Sequence, residues 1–303
     1  MNLTKNVTTA SETEAFSVQT ARGRPVASVV GVAIICATLA GPAAALTPIV
    51  THSGGTDPLT EGFGFWPYNG AIAASSQPDG GNQVWQIQNS GNANLQAFYG
   101  QAGGIGPFLI SSGASGLTQA EIDAINANGF TMTLDARIVQ GPTYSPGGTF
   151  TIDESVAGFN GNRYDIQLGS DGAGNTLVIL PTFTSFNASA NFTSTPFGTP
   201  LLIAGTGYHQ YQLSYDPVSG SATLYIDGVQ RVTGYTGSAV AGGATQWNYG
   251  LVFGVANDGT GNFAGASLAA AMVPEPGSVA LLLAGLACIG CAAGRRQVGR
   301  RLA

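Results

Sequence analysis

Between Leu46 and Gly277 the chain has no cysteine, no lysine and only three arginines, Arg137, Arg163 and Arg231. The missing thiols exclude a disulfide framework, a thiolate metal site and a cysteine nucleophile from this stretch. Ten Asp and four Glu against those three arginines leave the stretch at −11, although the whole chain carries only −6. A surface of that sign cannot neutralise phosphates, which excludes nucleic acid as a partner. Histidine is scarce too. His52 and His209 are the only two, too few and too far apart in sequence to suggest a zinc cluster. Acidity of this degree serves solubility and is also compatible with bound Ca²⁺.

Long apolar runs are confined to the two ends, and the cysteines Cys36, Cys288 and Cys291 lie within them. Val26 to Gly41 is apolar and uncharged, with Arg22 and Arg24 before it and Ala43, Ala44 and Ala45 after. That order is the one of a secretory signal, and it predicts cleavage by signal peptidase after Ala45, with Ala43 and Ala45 in its small-residue pockets. Residues 1–45 are therefore read as a signal peptide with a long polar leader. At the other end Val273-Pro274-Glu275-Pro276 precedes an apolar run from Ser278 to Gly294, closed by Arg295, Arg296, Arg300 and Arg301. The arginines favour the cytoplasmic side, so a helix over 278–294 is expected to stop in the inner membrane with everything before it outside. At 1.5 Å per residue, Ser278 to Ala293 would be about 24 Å long, short for lifelong anchoring.

The three-part tail over 273–301 closely resembles the PEP-CTERM sorting signal of Gram-negative-type bacteria. The resemblance implies processing at Val273 to Pro276 by an exosortase, an integral-membrane transpeptidase. Delivery to the cell surface or the exopolysaccharide matrix would follow a transient stay in the inner membrane. Cys288-x-x-Cys291 has redox-pair spacing but lies within the expected membrane helix, so no chemistry is assigned to it.

Period-two alternation dominates the body. From Phe130 to Ile138 every even position is apolar and every odd one polar, the pattern of a strand with one face buried. Tyr164 to Leu168, Phe150 to Ile152, His209 to Tyr215 and Thr223 to Ile226 continue it. Asp216-Pro217-Val218-Ser219-Gly220 predicts a hairpin turn, and Asp227-Gly228 a second tight turn leading into Val229 to Thr233. Further strand candidates are Val84 to Gln88, Leu95 to Tyr99, Leu177 to Phe183, Gly250 to Val255 and Phe263 to Met272. One segment reads as helix, Leu117 to Asn128, with Thr118 as N-cap, Glu121 as its capping-box partner and Gly129 as the stop. The Gly-, Ser- and Ala-rich stretches Ser111 to Gly116 and Ser238 to Gly243 read as loops. Many short strands joined by Gly-rich turns predict an all-β antiparallel sandwich, and 46–272 is long enough for one such domain with a real core.

Asn128-Gly129-Phe130-Thr131 through Val139, and Tyr208-His209-Gln210-Tyr211 through Leu224-Tyr225-Ile226-Asp227-Gly228-Val229, resemble the concanavalin A-like lectin/glucanase superfamily in its laminin-G-like branch. The resemblance implies a two-sheet jelly roll that binds sugar or protein at a rim or on the concave sheet, sometimes with Ca²⁺. Residues 46–115 carry no such resemblance and are expected to supply edge strands or a separate arm. By chemistry alone Asn257-Asp258-Gly259 offers a carboxylate and an amide for Ca²⁺ or sugar hydroxyls, with Trp247 and Tyr249 as stacking surfaces; the alternatives are a plain turn and plain core.

A retaining glucanase needs two carboxyls about 5–5.5 Å apart, supplied by Glu-x-Asp-x-x-Glu or a one-residue-shorter form along one strand. Glu121-Ile122-Asp123 starts like that motif, but Ile125 and Asn126 stand where the acid should be. The sequence therefore reads as a non-catalytic surface or matrix protein binding extracellular polysaccharide or another surface partner. The alternatives are a glucanase-like glycoside hydrolase and a purely structural biofilm-matrix component.

Overall fold

The computed structural model describes residues 48–68, 71–90, 96–102, 117–146, 149–159, 162–186, 192–239 and 249–270. The chain divides into two units, Met1–Ala44 and Ala45–Ala303, and the described residues all belong to the second. The predicted signal peptide, the Pro274-Glu275-Pro276 tail, its membrane helix and the closing arginines lie outside them, as does Trp247. Among the described residues no helix is long and apolar enough to cross a membrane.

The strands in chain order are β1 (Pro48–Ser53), β2 (Gly64–Tyr68), β3 (Ala71–Asp79), β4 (Asn82–Ser90), β5 (Gln96–Ala102), β6 (Phe130–Gln140), β7 (Ile152–Phe159), β8 (Asn162–Ser170) and β9 (Thr176–Ile179). They continue with β10 (Pro181–Phe186), β11 (Phe192–Pro196), β12 (Leu201–Ile203), β13 (His209–Asp216), β14 (Ser221–Ile226), β15 (Val229–Tyr235), β16 (Ser238–Ala239), β17 (Tyr249–Ala256) and β18 (Thr260–Ala270). The one α-helix among the described residues, α1, is Gln119–Asn128. Two eight-stranded antiparallel sheets face each other. The first runs β15-β14-β13-β6-β18-β4-β3, with β1 also on β18; the second runs β12-β9-β8-β7-β17-β5-β2, with β16 also on β8. β10 and β11 form a separate hairpin.

Alternation explains which side chains meet. Phe130, Met132, Leu134, Ala136 and Ile138 of β6 are buried, and they join Tyr211 and Leu213 of β13 and Leu268 of β18 in one core. The second sheet supplies Ile152, Val156, Tyr164, Ile166, Leu168, Leu251, Phe253 and Val255 to the same core. The result is a sandwich, as the alternation predicts.

Local chemistry sets the ends of elements. Thr118 accepts from the Glu121 backbone while Glu121 reaches back to Thr118 N at 2.7 Å, and Gly129 stops the helix at φ 88°. A Cβ on Gly129 would fall 2.1 Å from the Tyr215 carbonyl oxygen, so only glycine fits. At the β13–β14 turn the Asp216 carboxylate accepts from Val218 N and Ser219 N, and at the next turn Asp227 has φ 52° and Gly228 φ 74°.

Residues 48–102, which carried no resemblance, supply β1 to β5. β4 and β5 lie inside the sheets and β2 and β3 form outer edges. Three other departures have simple causes. Leu177 to Phe183 is two strands, because the chain leaves the second sheet at Leu180 to form the β10–β11 hairpin. Phe150 to Ile152 is only the approach to β7, whose polar residues Asp153, Glu154 and Ser155 concealed it. Ser238–Ala239, read as loop, pairs with Arg163 and Asn162.

Candidate functional site

The side chains of β7 and β8 sort by parity. Ile152, Glu154 and Val156 share the core face with Tyr164, Ile166 and Leu168, while Asp153, Ser155, Arg163, Asp165 and Gln167 point away from the core. The register places Asp153 beside Gln167 and Ser155 beside Asp165. On its other side Asp153 stands opposite Gly254 of β17, and Gly254 opposite Phe98 of β5. Reading across the sheet, an aromatic, a residue with no side chain, a carboxylate and an amide follow one another.

Arg163 joins the two carboxylates. Its Nε donates to Asp165 Oδ1 at 2.6 Å and its Nη2 to Asp153 Oδ2 at 3.0 Å. The Phe183 ring lies under the guanidinium, 5.1 Å from centroid to Cζ. Asp153 and Asp165 retain 3% and 0% side-chain exposure, whereas Arg163 retains 16% and forms the open edge of the cluster. Burial raises the Asp153 carboxyl and raises Asp165 to about 7, in both cases against the pull of Arg163. One guanidinium cannot satisfy four carboxylate oxygens here: Asp153 Oδ1 and Asp165 Oδ2 are buried without a hydrogen-bond partner.

Glu154 lies on the opposite face of the same strand. It is fully buried on the core side with neither oxygen bonded, and burial followed by the Asp153 charge raises its carboxyl well above the ordinary range. The other glutamates on which a hydrolase could draw are engaged structurally. Glu61 accepts from Ser53 N at 2.9 Å and sits 2.6 Å from His52 Nδ1, and Glu121 closes the helix cap. His52 stacks on Phe253 at 4.8 Å, and burial lowers its value against the pull of Glu61. Among the described residues no three His, Cys, Asp or Glu side chains converge to hold a metal ion.

Asn257 and Asp258 form the β17–β18 turn, with φ 56° and 59°. The Asn257 amide donates to the Phe150 carbonyl at 2.9 Å, tying the turn to the approach to β7, and Asp258 is exposed. The structure brings these two together in sequence order but places them on a turn rather than beside Asp153 and Asp165. Tyr249 begins β17, opposite Ala102. Sequence reading missed Asp153, Arg163, Asp165 and Gln167. The available signal was Arg-x-Asp-x-Gln on the polar parity of an evident strand.

A second polar cluster lies on the outward face of the first sheet. Asp79, at the tip of the β3–β4 hairpin, accepts from Arg137 Nε at 2.6 Å and Nη2 at 2.8 Å, from the Tyr208 hydroxyl at 2.6 Å and from Asn262 Nδ2 at 2.5 Å. Asn262 Oδ1 in turn accepts from Gln86 at 2.9 Å. Arg137, first among its causes, lowers the Asp79 carboxyl to about 2. The network has no spare acceptor and clamps the hairpin. Its contribution to stability is present above the unfolded value of about 3.9 and lost as pH falls through about 2. Asp79→Ala, which strands four donor groups on three residues, is expected to destabilise the fold by roughly 1–3 kcal/mol at pH 7 and by less at pH 2. Thermal unfolding at the two pH values measures both.

No protein-family model matches the sequence, and no curated protein matches it either. Solved structures show distant likenesses. The binding domain of botulinum neurotoxin DC, solved with rat synaptotagmin II, has TM-score 0.41 and 13% identity over 78% of this chain and 51% of its own. The carbohydrate-binding module CBM66 from Bacillus subtilis has TM-score 0.36 and 12% identity over 68% and 95%. A glycoside hydrolase family 16 endo-glucanase from Bacteroides ovatus has TM-score 0.35 and 12% identity over 64% and 84%. The chain thus spans about half the length of the neurotoxin domain it resembles. Likenesses at these TM-scores decide neither fold family nor activity.

Proposed function

We propose that this chain is an exported surface or extracellular-matrix protein whose sandwich, of concanavalin A-like type, binds carbohydrate without cleaving it. The observation that carries the binding reading is the outward face of β7 and β8, where Asp153, Asp165 and Gln167 stand in register with Gly254 and Phe98. Sugars are bound by such sets: carboxylates and amides for the hydroxyls, an aromatic face for the C–H surface, and a small residue to admit the ring. The expected result is retention of the full chain by at least one extracellular polysaccharide in affinity electrophoresis, weakened at least tenfold in Asp153→Asn. Equal retention of the variant would put the binding elsewhere than the Asp153 face, and no retention of the parent on any polysaccharide would leave a purely structural matrix role. Running the assay with and without Ca²⁺ tests the further proposal that Asn257 and Asp258 hold a cation that orders the rim, with Trp247 and Tyr249 stacking on sugar nearby.

One observation favours a hydrolase: Asp153 and Asp165 are two carboxyls on one face, both raised by burial. Against it, Arg163 occupies one oxygen of each, where an acid and a nucleophile would need to face the glycosidic bond. Release of reducing ends from a β-glucan by the parent and not by Asp165→Asn would reverse the assignment.

The export part of the proposal rests on the tripartite tail. A reporter after Met272 is expected outside the cytoplasm, and changing Pro274 and Pro276 to Ala is expected to block exosortase-dependent maturation in the native host.

A further inference from the structure

We infer that the chain self-associates through the free edge of β3, pairing it antiparallel with β3 of a second copy so that the two first sheets become one. The inference is independent of the binding reading above and adds an interaction surface to it.

An open sheet edge presents a row of unpaired N–H and C=O groups, and what completes it is the backbone of another extended strand. Most open strands here are blunted against that. β15 has two register shifts against β14 and exposes Arg231 in its middle, and β1 shifts register between Pro48 and Val50. β2 is five residues long with Pro67 inside it, and β12 and β16 have three and two residues. The β10–β11 hairpin shifts register too, and it begins and ends at proline. β3 differs from all of these. It runs nine residues in unbroken register with β4, its one proline, Pro78, stands next to last, and among the described residues no strand pairs with its other side. Ala73, Ser75 and Ser76 are exposed.

Charge selects the partner. Ala71 to Ser90, the whole β3–β4 hairpin, holds one charged side chain, Asp79, and Arg137 neutralises it. Two bodies that each carry −11 repel one another over most of their surfaces, whereas two such hairpins meet without opposing carboxylates. A strand paired antiparallel with itself also satisfies a two-fold axis, under which each contact is made twice and association closes at two. With the axis on Ala74, Ala73 of one copy faces Ser75 of the other, and both are small and uncharged. The edge is held ready as well. Ile72 and Ala74 pack against the core, and Asp79 fixes the end of the strand through Arg137, Tyr208 and Asn262, so pairing needs little further ordering.

The full chain in non-ionic detergent is expected to show a monomer–dimer equilibrium by sedimentation velocity across a hundredfold range of concentration. The dimer should weaken at least tenfold in the double variant Ala73→Glu with Ser75→Glu, which sets like charges opposite each other across the axis. It should change less than twofold in Gln230→Glu with Thr233→Glu, exposed positions on β15 that add the same bulk charge. Hydrogen exchange on the parent needs no variant: the amides of 71–77 are expected to slow at least tenfold from the dilute to the concentrated sample, while those of β15 do not change. Thermal unfolding of the dilute variants confirms that each is folded; should one fail to fold, the exchange result decides. A monomer at every concentration overturns the inference, as does protection of 71–77 that is independent of concentration. A dimer weakened equally by both double variants reduces it to bulk charge, and one weakened by neither places the contact elsewhere, such as the apolar ends; both overturn it. Association beyond two does so too, because a closed two-fold contact stops there.

Discussion

Arg163→Met is expected to destabilise the sandwich by about 3 kcal/mol at pH 8, because it leaves Asp153 and Asp165 buried with no counter-charge. For a domain of this size that corresponds to a fall of roughly 6–12 °C in the unfolding midpoint. The pH dependence gives a sharper signature. Both folded values already lie above the unfolded one of about 3.9, so their contribution to stability is complete below that pH and declines as pH rises through the folded values. Without the guanidinium the folded values rise further, and the decline extends over a wider range. The deficit of the variant should therefore be small at pH 4 and largest at pH 8. A parent and variant that unfold together at pH 8 would show that the cluster is solvated and that Arg163 holds nothing in place. Replacing all three residues at once, Asp153→Leu, Arg163→Met and Asp165→Leu, is expected to recover most of the loss, since an apolar trio has no charge left to strand.

Glu154→Met is expected to act in the opposite direction and raise stability by about 2 kcal/mol at pH 8. The carboxyl faces Ile166 and Phe253 across the strands with neither oxygen bonded, and a buried polar group without a partner is a cost that an apolar side chain of similar length removes. Its folded value is raised, so the parent is at its best below the unfolded glutamate value of about 4.3 and weakens as pH rises through the folded one. The advantage of the variant should accordingly grow from pH 4 to pH 8. Denaturant unfolding at both pH values measures it. A destabilised variant would mean that Glu154 has a bound partner in the core, such as an ordered water, that the methionine displaces. Ionisation on the core side of β7 thus lowers stability.

The elements that follow from local rules were legible without coordinates. Thr118, Glu121 and Gly129 bound a helix because capping is settled within four residues, and Asp216 to Gly220 and Asp227-Gly228 turn the chain because their backbone preferences are local. β6 was evident because one of its faces is apolar along its whole length. β7 was not, since Asp153-Glu154-Ser155 breaks the apolar rhythm on both faces, and a carboxyl on the core face is the last residue that alternation would place there. In residues 48–102 the strands β4 and β5 were legible as Val84 to Gln88 and Leu95 to Tyr99, whereas β1, β2 and β3 were missed for a related reason. β3, Ala71–Asp79, is a mostly small and polar edge whose assignment comes from pairing with β4, not from its composition.

By itself the sequence determined a β-rich acidic body, free of thiols and lysine, lying between two apolar ends; composition and period-two patterning need no partner to be read. Only the tertiary structure decided that Asp153, Asp165 and Gln167 share a face, that one arginine serves two carboxylates, and that Glu154 turns inward. Those facts depend on the register of β7 against β8 and β17, and a shift of one residue would send every one of these side chains to the other face. Register is set by the core that both sheets build together, which no segment of the chain contains alone.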